Sequence, residues 1–242
     1  MHVERIDSRR SSPVLVFLHH GLGSIAQWRT FPAMLCAQVE LPALLIDREG
    51  HGLSDPAPPR PLRYLESEAE RFAQYLAEQQ LDEVILVGHS DGASIALLHA
   101  ASNRAPRPIG VVSMAAHLFV EDVTRAGVRI AAANHSSLRA RLRRYHGSKA
   151  DALFWHWAGA WLAPSFDDWD ISARMRDVQC PVLALQGADD EYGTLAQVSA
   201  IQENCTGPVT RVILPDCAHE PHLQAPAETL RVIAQWILAL PK

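Results

Sequence analysis

Residues 84–92 read Val-Ile-Leu-Val-Gly-His-Ser-Asp-Gly, and this stretch decides the fold class. Its leading apolar residues, most of them β-branched, predict a buried strand. A Gly-x-Ser-x-Gly turn follows at once, and residues 93–100 then predict a helix. A serine in a sharp turn between a strand and a helix is typical of a nucleophile elbow, in which a side chain at position 88 or 92 would collide with neighbouring backbone. The sequence therefore predicts that Ser90 presents its hydroxyl at the carboxyl edge of a sheet.

The rest of the chain alternates between strand-like and helix-like segments. The strand-like runs are rich in apolar and β-branched residues and lie at 14–19, 43–47, 84–88, 109–114, 181–186 and 209–214. Helical segments are predicted near 27–38, 64–80, 91–102, 194–204 and 226–240. Such an alternation predicts an α/β fold with a mostly parallel sheet and helices on both faces.

One interval interrupts this alternation. Residues 118–176 contain no convincing strand and are rich in Arg, Ala and Trp, so we interpret them as a helical insertion. The predicted core domain then consists of residues 1–117 and 177–242. A proline-rich loop is predicted at 53–62, after the second strand-like run.

Length and composition limit the classes of protein to be considered. The chain has 242 residues, of which 48% are hydrophobic, and this is enough for one large α/β domain. A formal net charge of −5 does not indicate general binding to nucleic acid. The four cysteines have neither a metal-binding spacing nor the density of a disulfide scaffold, so a cytoplasmic location is expected. No secretion signal is recognised, and no apolar run approaches the roughly 18 residues of a membrane span.

Two further strand ends carry the residue types that a serine nucleophile needs. A serine hydroxyl becomes reactive when a base takes its proton and an acid orients that base. Residues 187–193, Gly-Ala-Asp-Asp-Glu-Tyr-Gly, follow one strand-like run, and residues 215–222, Pro-Asp-Cys-Ala-His-Glu-Pro-His, follow the next. Because the carboxyl ends of parallel strands meet at one edge, the order serine, acid, histidine predicts a catalytic triad. A metal site at the two histidines of 215–222 is not indicated, since a proline separates them.

Together these segments resemble the α/β-hydrolase family over nearly the whole chain, with the insertion in the place of the family's cap. Residues 18–24, Leu-His-His-Gly-Leu-Gly-Ser, are similar to its oxyanion-loop motif, and residues 47–54, Asp-Arg-Glu-Gly-His-Gly-Leu-Ser, are similar to its Asp-x-x-Gly-x-Gly-x-Ser turn. Residues 190–194 and the Trp-rich insertion resemble the capped bacterial group of esterases, enol-lactonases and ring-cleavage-product hydrolases. The start departs from the family, because residues 1–12 leave room for one strand where two are common.

The resemblance implies a role for each candidate site residue. The family's acid lies three residues after a strand-end glycine, which selects Asp190 over Asp189, and its catalytic histidine corresponds to His219. The two backbone N–H groups of the oxyanion hole correspond to Leu22 and Asp91.

Two neighbours of the histidine depart from the family pattern. Ala218 stands where the family usually has glycine, and Gln224 stands where it usually has glutamate. Neither change touches the catalytic imidazole, so the implied roles are kept.

The resemblance implies a cofactor-free serine hydrolase that forms an acyl-enzyme on Ser90 and uses no metal. A small-molecule carboxylic ester or lactone is the expected substrate, with no nucleic-acid or membrane partner and a monomeric or homodimeric state. The same constellation also serves thioesters and the C–C bonds of aromatic ring-cleavage products. Two other classes stay open, a ligand receptor on this scaffold and a non-hydrolytic lyase or oxygenase.

The insertion also supplies candidates for a substrate pocket. Trp155, Trp157 and Trp161 either line an apolar pocket above the nucleophile or form the insertion's own core. A basic stretch is either a solvated helix face or the source of one inward arginine for a substrate carboxylate, and it comprises Arg139, Arg141, Arg143, Arg144 and Lys149.

Overall fold

The computed structural model describes residues 1–61 and 63–241, and a seven-stranded sheet forms its centre. The strands are β1 (His2–Ile6), β2 (Val14–Leu18), β3 (Ala43–Asp47), β4 (Val84–His89), β5 (Pro108–Met114), β6 (Val182–Gly187) and β7 (Val209–Leu214). Their order in the sheet is β1-β3-β2-β4-β5-β6-β7. Only β1 runs antiparallel to its neighbour among these strands, so the predicted mostly parallel sheet is confirmed.

Helices cover both faces of the sheet, as the alternation predicts. They are α1 (Phe31–Val39), α2 (Tyr64–Glu78), α3 (Asp91–Ala101), α4 (Asp122–Ala133), α5 (His135–His146), α6 (Ala150–Leu162), α7 (Ala196–Asn204), α8 (Pro221–Gln224) and α9 (Pro226–Leu238). Helices α1 and α9 pack on one face, and α2, α3 and α7 pack on the other. The central strands are buried on both sides, which explains their continuous apolar runs. None of the helices in the described ranges has the length and apolar content that a bilayer crossing requires.

The first helix begins later than the sequence predicts. Instead of one helix from about residue 27, a 3₁₀ turn at Ile25–Trp28 is followed by α1, which starts at Phe31. Pro32 gives the physical reason. A proline is accommodated in the first turn of a helix, but farther inside it would remove a backbone hydrogen bond and clash with the preceding turn.

Helices α4, α5 and α6 lie in the predicted insertion and pack on one another. Its two ends meet, because the N–H of Ile171 donates to the carbonyl of Leu118 at 2.7 Å and the N–H of Val120 donates to that of Trp169 at 3.3 Å. The turn Ser172–Asp177 then packs against α3. We keep 118–176 as the proposed bounds of the insertion. The proline-rich loop predicted at 53–62 is described as far as residue 61, since Leu62 lies outside the described residues.

Candidate active site

Ser90 stands at the turn between β4 and α3 in a backbone conformation that few residues adopt. Its φ and ψ angles are +53° and −122°. A Cβ added at Gly88 would lie 2.5 Å from the Cα of Ala93, and one added at Gly92 would collide with the carbonyl oxygen of Leu18. Both positions therefore require glycine. The positive φ of Ser90 is a backbone strain of the kind found at functional sites.

The three residues predicted as a triad come together at the carboxyl edge of the sheet. Nε2 of His219 lies 2.9 Å from Oγ of Ser90, and Nδ1 of His219 lies 2.8 Å from Oδ1 of Asp190. The three side chains follow β4, β6 and β7, whose ends meet there. The geometry allows the imidazole to accept the serine proton while the carboxylate holds the other ring nitrogen.

The structure also distinguishes the two neighbouring aspartates. The Asp190 side chain is only 2% exposed, and its Oδ1 also accepts the backbone N–H groups of Tyr192 and Gly193. Its Oδ2 accepts the amide of Gln186 at 3.2 Å. Asp189 instead lies exposed on the surface. The carboxylate in contact with the histidine is therefore the one that the resemblance selects.

The surroundings of this pair favour an ionised Asp190 carboxylate and raise the proton affinity of His219. Burial alone would lower the pKa of His219, but the hydrogen bond and charge of Asp190 reverse this and raise it above the ordinary 6.5. Burial would raise the pKa of Asp190, and the hydrogen bond from His219 instead brings it below the ordinary value. The raised pKa of His219 and the lowered pKa of Asp190 both favour the state in which the carboxylate is ionised.

The two residues predicted to supply the N–H groups of an oxyanion hole line the same cavity as Ser90. Asp91 is the first residue of α3, so its N–H has no carbonyl one turn earlier to bond. The N–H of Leu22 makes one long contact, 3.4 Å to Nδ1 of His20. Leu22, Asp91 and Ser90 all line one cavity. Their role as oxyanion donors stays a prediction.

This cavity has a volume of about 170 Å³ and lies between Ser90 and the insertion. Its apolar wall comes from α4, α5 and α6 and includes Val128, Ala131, Leu142, Trp157 and Trp161. Arg141, Glu191 and Glu220 add charged groups to its lining. The arrangement suits a small substrate with one apolar part.

Trp155 does not belong to the cavity, so its prediction as a pocket residue is wrong. Its side chain is 50% exposed and packs on the ring of His135, with centroids 4.9 Å apart. Trp157 and Trp161 are four residues apart on α6 and share a face, whereas Trp155 lies about 200° around the helix from Trp157. The helical period, which can be counted in the sequence, places Trp155 on a different face from Trp157 and Trp161.

The basic stretch of the insertion divides into three kinds of contact. Arg139 and Arg143 pair with Asp151 on α6, at 2.8 and 3.2 Å. Lys149 donates to the carbonyls of the turn after β3, at 2.9 Å for Gly52. Arg141 is the member that lines the cavity, so an inward arginine for a substrate carboxylate stays a prediction for that residue.

Sequence reasoning missed residues that hold the site from behind. Gln224 is one of them, because its Oε1 accepts the N–H groups on both sides of His219, from Ala218 at 3.1 Å and from Glu220 at 3.0 Å. Glutamine thus keeps the acceptor that the family's glutamate would supply. The change at this position was visible in the sequence, but its contact was not.

His146, at the end of α5, is a second such residue. Its Nδ1 accepts the N–H of Gly52 at 2.9 Å, and its Nε2 donates to the carbonyl of Leu22 at 3.0 Å. The insertion is thereby joined to the loop of the predicted oxyanion hole. No signal in the sequence pointed to this contact.

The described residues support neither a cysteine nucleophile nor a metal centre at this site. Burial raises the pKa of the Cys217 thiol, so that thiol is no activated nucleophile. His222 packs on the ring of Trp28, with centroids 4.7 Å apart. Within residues 1–61 and 63–241, no three His, Cys, Asp or Glu side chains converge on a common metal position.

Comparison with known proteins agrees with the observed fold. A model of the alpha/beta hydrolase family matches residues 15–232. Human protein phosphatase methylesterase 1 is 30% identical over 107 residues, which make up 43% of this chain and 28% of that protein. The match thus covers less than a third of the relative's length.

Two solved structures are similar over almost the whole chain. MGS-M2, an alpha/beta hydrolase enzyme from a deep-sea metagenome library, has a TM-score of 0.78 at 15% identity, covering 98% of this chain and 93% of that one. The esterase EaEST from Exiguobacterium antarcticum has a TM-score of 0.75 at 15% identity, covering 98% and 94%. At such identities the likeness concerns the fold alone.

Proposed function

Because this chain belongs to the alpha/beta hydrolase family, we propose that it is a serine hydrolase that cleaves carboxylic esters through an acyl-enzyme. One observation carries the proposal. A continuous chain of hydrogen bonds runs from Asp190 through His219 to Ser90, and the serine opens onto a cavity of substrate size. The methylesterase name of a similar protein supports the ester over other bonds.

In the proposed mechanism, Oγ of Ser90 attacks the ester carbonyl while Nε2 of His219 takes its proton. The carbonyl oxygen becomes an oxyanion, which the N–H groups of Leu22 and Asp91 stabilise. The tetrahedral intermediate then expels the alcohol, to which His219 returns the proton. Water repeats the sequence on the acyl-enzyme, releasing the acid and restoring the serine. Asp190 keeps the imidazole in the required tautomer and stabilises the imidazolium.

The cavity volume limits the substrate. An apolar cavity of ~150 Å³ is known to hold a benzene molecule. The cavity beside Ser90, at about 170 Å³, therefore accepts a group the size of one aromatic ring. We propose small esters or lactones with one such group, acted on by a monomer or homodimer in the cytoplasm.

The proposal is tested by labelling the folded protein with a fluorophosphonate and by assaying p-nitrophenyl acetate. We expect one adduct per chain, located by mass spectrometry on Ser90, together with loss of ester turnover. Heat-denatured protein is the control and should not react, because the activated serine exists only in the folded site. An adduct on another residue, or turnover that survives complete labelling, would contradict the proposal.

The cavity wall gives a prediction about substrate choice. In Trp157→Leu and Trp161→Leu variants, kcat/KM for p-nitrophenyl phenylacetate should fall about 10-fold relative to p-nitrophenyl acetate. A buried ring contact contributes at ~25 cal/mol per Å², so losing part of it costs a ring-sized substrate roughly 1–2 kcal/mol. The acetyl group is too small to use this contact. The ratio of the two kcat/KM values is the measurement.

Trp155→Leu is the matched control for that experiment, since it changes the same residue type on the same helix outside the cavity. Its ratio should equal that of the wild type. If Trp155→Leu alters the ratio as much as the other two variants, the effect comes from the stability of α6 and the assignment of the cavity wall is wrong.

A further inference from the structure

Arg60, from the proline-rich loop between β3 and α2, reaches the back of the active site. Its side chain is 7% exposed. The guanidinium lies over the ring of Tyr64, 4.4 Å from the centroid, and its Nε is 3.9 Å from Glu68. Its two terminal nitrogens point to the two segments that carry the proposed oxyanion donors. Nη1 lies 3.3 Å from Oδ2 of Asp91, and Nη2 lies 3.2 Å from the carbonyl oxygen of Gly21.

A count of protons around His51 identifies Arg60 as the donor to that carbonyl. Nδ1 of His51 lies 3.0 Å from the carbonyl of Glu49, and its Nε2 lies 3.2 Å from that of Gly21 and 3.3 Å from Nη2 of Arg60. Burial, Arg48 and other nearby cationic groups lower the pKa of His51, so the ring carries a single proton. With that proton on Nδ1, the two protons of Nη2 serve Gly21 and Nε2 of His51, and every contact is satisfied.

The carbonyl of Gly21 belongs to the same peptide unit as the N–H of Leu22. A trans peptide is planar, so its C=O and N–H point in opposite directions. Holding the carbonyl on Arg60 therefore directs the N–H of Leu22 away from Arg60. Glycine leaves this peptide free to rotate, because it restricts the backbone least. A larger residue would not fit, since a Cβ at position 21 would lie 2.6 Å from Trp157.

The same guanidinium holds the second segment. The carboxylate of Asp91 is buried, and it accepts hydrogen bonds from Arg60 and, at 2.9 Å, from the hydroxyl of Tyr64. The N–H of Asp91 is the other proposed oxyanion donor. Arg60 thus joins the peptide before Leu22 to the first residue of α3.

We propose that Arg60 is a positioning residue that fixes the orientation of the Gly21–Leu22 peptide and its distance from Asp91, and so forms the oxyanion hole. This inference rests on the proposed function. It assigns to a loop residue, which touches no reacting atom, control over transition-state stabilisation. Ground-state binding of the substrate should be almost independent of it, because the oxyanion develops only during the reaction.

The test compares Arg60→Met with the double variant Arg60→Met/Asp91→Asn. The second change removes the carboxylate that the first leaves buried without its cation, a defect that destabilises proteins in itself. For p-nitrophenyl acetate, kcat should fall about 30-fold or more in both variants while KM changes little, since loss of one oxyanion donor costs roughly 10²–10³ in kcat. Arg60→Lys should give an intermediate kcat, because one ammonium cannot serve both segments at once.

A pair of inhibitors separates the oxyanion hole from general damage. Ser90 adds to the ketone carbon of 1,1,1-trifluoro-4-phenylbutan-2-one, its proton passes to His219, and the ketone oxygen becomes an oxyanion in the hole. The inhibition constant of this ketone should rise by the same factor as kcat falls. That of 4-phenylbutan-2-one, which binds without adding, should change less than about threefold.

Arg71→Met is the matched control, because Arg71 is a half-exposed arginine near the same loop that pairs with Glu49 at 3.6 Å. It should behave as the wild type. Recovery of kcat in the double variant, or equal losses for both ketones, would overturn the inference and leave the proposed function intact. A wild-type protein that neither reacts with the fluorophosphonate nor hydrolyses any ester would overturn the proposed function, and the inference with it.

Discussion

Replacing Asp190 with asparagine is expected to lower kcat by roughly 10⁴-fold, as is typical when a triad aspartate loses its charge. The asparagine amide presents a donor toward Nδ1 of His219, or a neutral oxygen in place of the carboxylate. In the first case the imidazole loses its correct tautomer, and in both cases it loses the charge that stabilises the imidazolium. Binding of substrate should be almost unchanged, because Asp190 lies behind the histidine at 2.8 Å and does not line the cavity.

The pH profile gives this prediction a second readout. His219 acts as a base only when neutral, so activity rises with pH through its pKa, which Asp190 raises above 6.5 against the lowering effect of burial. In Asp190→Asn the raising contact is lost and burial remains. The acidic limb of the residual kcat/KM should therefore move to lower pH. A limb at the wild-type position would show that Asp190 does not control the base.

Asp189→Asn is the control for the same experiment. The two aspartates are adjacent in sequence, but Asp189 is exposed and Asp190 contacts the histidine. We expect Asp189→Asn to keep kcat within about threefold of the wild type, as for other surface changes of this size. If the two variants ranked in the opposite order, the triad would use the other carboxylate.

The proximity of Ser90, Asp190 and His219 could be predicted from the sequence because it depends on local signals. Parallel strands bring their carboxyl ends to one edge, so residues that follow β4, β6 and β7 become neighbours whatever the details of packing. The glycines flanking Ser90 are visible in the sequence. The structure explains them, because a Cβ at position 88 would collide with Ala93 and one at position 92 with the carbonyl of Leu18.

The supporting residues could not be predicted in the same way. Arg60 contacts Asp91 across 31 positions and His146 contacts Leu22 across 124 positions, and neither separation carries a sequence period. A proline-rich loop gives no indication of where a long side chain will point. Such contacts follow from tertiary packing, and they become visible only when the hydrogen-bond partners of each buried polar group are counted.

The wrong assignment of Trp155 has a different origin. The information was present, because residues spaced by four on a helix share a face and residues spaced by two do not. A cluster of aromatic residues indicates a pocket in general, but only the helical period distinguishes the face of Trp157 and Trp161 from that of Trp155. The structure places Trp157 and Trp161 on the cavity side of α6 and Trp155 toward solvent.

Mild acid is expected to unfold this protein, because many of its histidines are buried as neutral rings. Burial is the leading cause of a lowered pKa in His19, His20, His51, His89, His99, His117, His146 and His222. Hydrogen bonds give independent evidence at His146, which accepts an N–H at Nδ1 and donates at Nε2, and only a neutral ring can do both.

The sign follows from proton linkage. Below the ordinary pKa of about 6.5 the unfolded chain protonates these rings more than the native protein does. Stability is therefore full well above pH 6.5 and falls as pH decreases, by at most about 1.4 kcal/mol per unit for each group. His19, His20, His51 and His89 have pKa values well below 6.5, and burial brings that of His222 to about 3. Each group that stays neutral in the native protein removes about 1 kcal/mol between pH 6.5 and 5.5, so five such groups remove at most about 5 kcal/mol. His219 opposes this with one group only, since its pKa is raised.

A loss of that size is comparable with the roughly 5–15 kcal/mol that stabilises a typical domain. Urea unfolding at pH 8, 6.5 and 5.5 should therefore show a steep fall in the free energy of unfolding. His222→Phe tests the cause, because the ring packs between Trp28 and Phe31 and its Nδ1 has no hydrogen-bond partner among the described residues. Phenylalanine keeps the packing and cannot titrate, so the fall in stability between pH 6.5 and 5.5 should be about 1 kcal/mol smaller, while stability at pH 8 changes little. If this fall is unchanged in the variant, or if wild-type stability is constant from pH 8 to 5.5, the buried rings take up protons in the native state. The geometry of His146 does not allow this without breaking its bond to Gly52.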